Sequence, residues 1–104
     1  MANYVFIYSG EPTFASPAEG AAYMAKWQTW VGGLGNAVIN PGNPFGMSKI
    51  VSAGGVSDAA GANRLTGFSI LSAESIDVAL TMAKECPHLA HGTIEVAEAM
   101  EMSL

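Results

Sequence analysis

Residues 3–10 read NYVFIYSG, a continuous run of aromatic and β-branched side chains that closes on Ser-Gly. A strand with one wet face alternates apolar and polar residues, whereas this one does not. Continuous apolarity predicts a strand covered on both faces. The rest of the sequence must therefore supply two covers, and it offers helices for only one of them.

The first helix follows in SPAEGAAYMAKWQTWVGGLG, residues 16–35. Ser16, Pro17 and Glu19 stand as N-cap, N1 proline and the N3 acid of a capping box. Met24, Trp27, Val31 and Leu34 recur at helical spacing, and the glycines from Gly32 to Gly35 stop the run. NAVIN (36–40) reads as a short strand before the turn-rich PGNPFG (41–46), and SKIVSAGG (48–55) as another short extended piece. VSDAAGAN (56–63) reads as a loop with neither period. LTGFSILS (65–72) is a strand with Phe68 and Ile70 on one side and Ser69 and Leu71 on the other. SIDVALTMAKEC (75–86) sets Ile76, Ala79, Leu80 and Ala83 on one helical face behind a Ser75 cap, and Pro87 breaks it. GTIEVAEAM (92–100) alternates as a last strand through Ala99.

The order is β-α-β-β-α-β with a short inserted strand, the ferredoxin-like arrangement of the α+β class, in one domain over residues 1–104. Both helices then lie on one face of an antiparallel sheet. The other face lacks a cover, although the first strand is apolar on both sides. Composition points the same way. Charged residues make up 12% of the sequence, half of the roughly 25% usual for globular domains. So few charges solvate a monomer poorly, and an apolar interface is expected. A homodimer with the two bare sheet faces packed together meets both requirements.

Several function classes are excluded by charge and spacing. Nine acids face four scattered cations, Lys26, Lys49, Lys84 and Arg64, for a net charge of −5. No basic stripe exists to neutralise phosphates, so nucleic acid is not an expected partner. Glycines and prolines interrupt the uncharged stretch 27–48 too often for a membrane span. The N-terminal segment lacks a basic region and a long apolar run, and the single cysteine suits a reducing compartment; a cytoplasmic location is expected.

These residues resemble the YCII-related proteins, in particular the DGPF-domain branch. The likeness is carried by YVFIYSGEP at the start, the YMAKWQTW helix, TGFSILSAESIDVALTMAKECP and the closing GTIEV, with residues 66–96 the most specific part. It implies a dimeric α/β barrel built from ferredoxin-like units. The Asp-Gly-Pro-Phe signature is not retained: GVSDAAGANRLTG occupies its place, with Asp58 and Gly61 still present. Relatives proposed to be enzymes carry a His in the first helix and an Asp soon after it. Residues 16–57 here hold neither, and Tyr23 stands as the counterpart of that His.

Two clusters compete as candidate sites. ECPHLAHG (85–92) gathers Cys86, His88 and His91, the only cysteine and both histidines. A zinc site needs convergent ligands, and the helix-breaking Pro87 with no fourth ligand nearby argues instead for a structural corner. No metal and no cofactor is expected. The aromatic helix is the better candidate, since Tyr23, Trp27 and Trp30 share one face at i, i+4 and i+7. Such a face usually fills the core; the alternative is a helix–sheet cleft for a small molecule, with Tyr23 and Trp27 on one wall and Phe68 and Ser69 on the other. Lys49, Arg64 and Glu95 are weaker candidates, the first two as a carboxylate clamp and the third as a proton acceptor inside a dimer. The expected function is binding of a small apolar or acidic molecule by a YCII-related homodimer. A cofactor-free isomerase, lyase or dehydrochlorinase of the kind found among relatives is the alternative.

Overall fold

The computed structural model describes residues 1–59 and 64–102. Gly61, one of the two signature-loop residues noted above, lies outside them. Six strands and two helices follow in the order β1 (Ala2–Ser9), α1 (Pro17–Leu34), β2 (Val38–Asn40), β3 (Lys49–Ser52), β4 (Gly55–Asp58), β5 (Leu65–Ala73), α2 (Ile76–Ala83) and β6 (Thr93–Ala99). Four of the strands form one antiparallel sheet in the order β2-β5-β1-β6, and β3 and β4 form a separate two-stranded sheet. An α+β layer of two helices on such a sheet is compatible with the ferredoxin-like arrangement expected from the element order.

The caps form as the sequence dictates. Ser16 Oγ accepts from the Glu19 N–H at 3.2 Å, and the Glu19 carboxylate reaches back to the Ala15 N–H at 2.7 Å. Gly35 ends α1 at φ +56, a conformation that an L side chain resists. Ser75 caps α2 by accepting from the Val78 N–H.

The sheet's inner face carries Tyr4, Phe6 and Tyr8 from β1 and Ser69, Leu71 and Ala73 from β5, all buried. Trp30 of α1 meets Phe6, and Ala79 and Ala83 of α2 complete the core. Phe6 is fully enclosed at 0% exposure. The opposite face carries Val5 and Ile7 of β1 beside Ile70 and Phe68 of β5, with Glu95 and Ala97 of β6 across from Ile7 and Val5. Among the described residues no helix covers it, and Phe45 stacks on Phe68 there. The protein is accordingly a slab only 18 Å thick along its shortest axis.

Four expectations are corrected. Residues 55–58 are a strand, β4, which pairs with β3 in register Lys49–Asp58 through Ser52–Gly55. Ala53 and Gly54 supply the turn, and Gly55 opens β4 at φ +133; a two-residue turn of this kind folds the second run back onto the first. In α2 the buried residues are Ala79 and Ala83, while Ile76 and Leu80 stay exposed. Small side chains bring this helix close to the sheet, and its larger ones flank the contact. In α1 Met24 is 56% exposed and Trp30 takes the buried place. Finally, α2 stops at Ala83, and Pro87 opens a short 3-10 turn over Pro87–Ala90 instead of breaking the helix directly.

Candidate functional site

A cleft of about 320 Å³ lies between α1 and the sheet, lined mainly by Tyr8, Tyr23, Trp27, Pro41, Gly42, Phe68 and His88. Each wall has a local cause. Residue alternation along β1 turns Tyr8 inward towards the helices. The helical period of α1 brings Tyr23 and Trp27 over it, and the Tyr8 and Trp27 rings meet edge to face at 5.3 Å.

The third wall is the loop Pro41–Phe45. It docks along β5 through the Phe45 N–H, which donates to Thr66 O at 2.9 Å, and through a Pro44–Gly67 bridge. Gly42 permits that approach. It sits at φ +81, and a Cβ there would stand 1.6 Å from Phe68 O. Any side chain at this position would push the wall off the strand.

The floor is polar and closed by hydrogen bonds. The Tyr8 hydroxyl lies 2.8 Å from Ser69 Oγ, which donates to Pro41 O at 2.7 Å. Burial raises the Tyr8 phenol well above the ordinary tyrosine range, and the Ser69 contact offsets only part of this. His88 is buried and its Nε2 lies 2.8 Å from Ser9 O. Only the nitrogen can donate in that pair, which fixes the proton on Nε2. At the outer end Phe14, Tyr23 and His91 pack ring to ring, with Tyr23 and His91 centroids 5.0 Å apart. Tyr23 is half-buried, and burial raises its phenol, with Trp27 partly offsetting the effect.

The sequence candidates therefore separate. Tyr23, Trp27 and Phe68 border one cleft. Ser69 lies beneath it, buried and bonded to Tyr8, and Phe68 alternates to the outer side of β5, where it stacks on Phe45 at 5.9 Å. Successive residues of a strand cannot turn their side chains to one wall. Lys49 and Arg64 do not clamp the cleft. Lys49 pairs with Asp58 across the β3–β4 hairpin, and Arg64 bonds Glu11 and Gly46 O. Glu95 projects from the outer sheet face, opposite Ile7 in register.

The members of the Cys-His-His cluster have separate jobs. Cys86 is buried in the core, and burial pushes its thiol up to about 11 against a lowering contribution from the His88 backbone. His88 ties the 3-10 turn to the end of β1, and His91 joins the aromatic group at the outer end. Sequence reading missed Tyr8 and His88 as cleft residues. The inward parity of Tyr8 was available from β1, but the loop Pro41–Phe45 that makes it a floor was not.

No family model matches the sequence, and no curated protein matches it. Solved structures do. The 5-chloro-2-hydroxyhydroquinone dehydrochlorinase TftG from Burkholderia phenoliruptrix AC1100, in complex with 2,5-dihydroxybenzoquinone, superposes with a TM-score of 0.60. The match covers 96% of this chain and 95% of that one at 13% identity. The two share a fold. This likeness is consistent with the YCII-related resemblance read in residues 4–12 and 66–96.

Proposed function

We propose that the protein is a YCII-related homodimer that binds a small, largely apolar aromatic molecule in the cleft between α1 and the sheet. The observation that carries this reading is the aromatic cleft itself, with Tyr23 and Trp27 over Tyr8. Protein cores are filled to crystal-like density, and an opening of this size beside three aromatic rings suits a planar ligand. Of the apolar or acidic ligands expected from sequence, the apolar class is favoured. Neither Lys49 nor Arg64 reaches the cleft. The quinone held by TftG, a neighbour in fold, is a compound of the same general shape.

The dimer reading draws on two apolar surfaces that no helix covers. One is the outer sheet face with Val5, Ile7 and Ile70. The other is the β3–β4 hairpin, where Ile50 is 54%, Val51 77% and Val56 68% exposed. A lone two-stranded hairpin is marginal in water, and a second copy of the chain would cover both surfaces in the manner of a dimeric α/β barrel. Glu95 would then lie inside the assembly. The cytoplasm remains the proposed location, in keeping with a single reduced Cys86. Among the described residues no helix is long and apolar enough to cross a membrane.

The second reading, a cofactor-free isomerase, lyase or dehydrochlorinase, is supported by the fold likeness to a dehydrochlorinase. Tyr23 in place of a helix His favours binding over that chemistry. Native mass spectrometry of freshly purified protein tests the choice. A retained small aromatic, displaced when Tyr23 is changed to Phe, supports the binding reading. Turnover of a hydroxylated chloroaromatic, with chloride released, would favour the enzyme.

A further inference from the structure

The hydrogen bonds beneath the cleft run in one direction only. A carbonyl oxygen cannot donate, so the Ser69 hydroxyl proton goes to Pro41 O. Ser69 has one such proton and has then used it. The contact between Tyr8 Oη and Ser69 Oγ must be donated by Tyr8. Tyr8 therefore offers only lone pairs to anything that enters beside it. His88 lies beside it with its Nε2 proton committed to Ser9 O. The two rings stand 5.2 Å apart, and both residues line the cleft.

A fixed acceptor at Tyr8 and no lysine or arginine among the lining residues make the inner end unfavourable to negative charge. An anion there would lose its hydration and meet the lone pairs of the Tyr8 oxygen, a costly exchange. A ligand O–H or N–H meets a ready acceptor instead. Neutral donors from Tyr23 and Asn43, which also line the cleft, suit a second ligand oxygen.

We infer that the cleft selects neutral aromatic molecules carrying an O–H or N–H donor, held by the Tyr8 oxygen, and rejects carboxylates of the same size. This rests on the proposed cleft reading and adds the polarity of its ligand. The test uses four probes at pH 7 in two matched pairs, hydroquinone with 1,4-dimethoxybenzene and benzamide with benzoate. Titrations are read by tryptophan fluorescence and by ligand-observed NMR. Hydroquinone is expected to bind about three- to tenfold tighter than its dimethyl ether, the range of one neutral hydrogen bond. Benzamide is expected to exceed benzoate by about tenfold or more, since the anion has no proton to donate to the Tyr8 oxygen. Tyr8→Phe, which leaves the Ser69 bond to Pro41 in place, is expected to erase the advantage of hydroquinone and leave the ether unchanged. Should that variant not fold, the benzamide–benzoate ratio on the unaltered protein decides alone. Benzoate binding as tightly as benzamide would overturn the inference and leave the cleft a ligand site. Failure of all four probes to bind would overturn both.

Discussion

The Trp30 indole N–H donates to the Met82 carbonyl at 3.0 Å and fastens α1 to α2 over the core. The ring packs on Phe6 at the same time, so one side chain joins both helices to the central strand. Trp30→Phe keeps an aromatic ring but removes the donor and part of the volume. A loss of about 1–3 kcal/mol is expected, from one hydrogen bond and incomplete repacking. Urea denaturation read by circular dichroism checks it, and an unchanged midpoint would show that the helices are held by other contacts.

Tyr23→Phe separates binding from folding. Tyr23 is half-buried at the outer end of the cleft and touches Phe14, Trp27 and His91 through its ring. The substitution preserves these contacts. It should leave the thermal midpoint nearly unchanged and weaken a hydrogen-bonding aromatic ligand by about 0.5–1.5 kcal/mol, or several-fold. Titration of both proteins with hydroquinone gives the comparison, and equal affinities would remove the phenol from the site.

The proposed dimer predicts a mass of about twice 10.7 kDa by light scattering at micromolar concentration. Ile70→Lys puts a charge in the middle of the outer sheet face, beside Val5 in register. In a monomer that position faces water and the change is mild. In a dimer it buries an unpaired ammonium and should give the mass of one chain. A variant that keeps the double mass would move the interface elsewhere, with the β3–β4 hairpin the next surface to probe.

Cys86 predicts a loss of stability in alkali. Its thiol titrates at about 11 when folded, against an ordinary value of 9.0. The folded state holds the proton longer, so the contribution is fully present below pH 9. It falls as pH rises towards 11, where the unfolded chain binds fewer protons. The loss is on the order of 2–3 kcal/mol across that window. Denaturant midpoints at several pH values should fall more steeply for the natural protein than for Cys86→Ala. Identical slopes would mean that other groups govern the alkaline limb.

Local chemistry made both ends of the first helix legible. Ser16, Pro17, Glu19 and Gly35 act within a few residues of one another, and their roles need no partner from elsewhere. Strand parity was equally local, which is why the opposite facings of Ser69 and Leu71 and of Phe68 and Ile70 follow from sequence alone. Order of elements then limits the topology, since a split β-α-β pair of units has few ways to share one sheet.

What the sequence could not determine depends on contacts between distant residues. β4 exists because the turn at Ala53 and Gly54 brings residues 55–58 back onto 49–52, and residues 56–63 show no period of their own. The buried faces of the helices were set by distance to the sheet, so of the four residues expected on the inner face of α2 Ala79 and Ala83 went in and Ile76 and Leu80 stayed out. Tyr8 and Ser69 are 61 positions apart, and the direction of their hydrogen bond is imposed by a third residue, Pro41. Sequence determined which side chains are aromatic, which faces alternate and where the helices start. Tertiary structure alone decided which of those aromatics border an opening and which oxygen there is left only to accept, because a hydrogen bond's direction is set by all of its partners together.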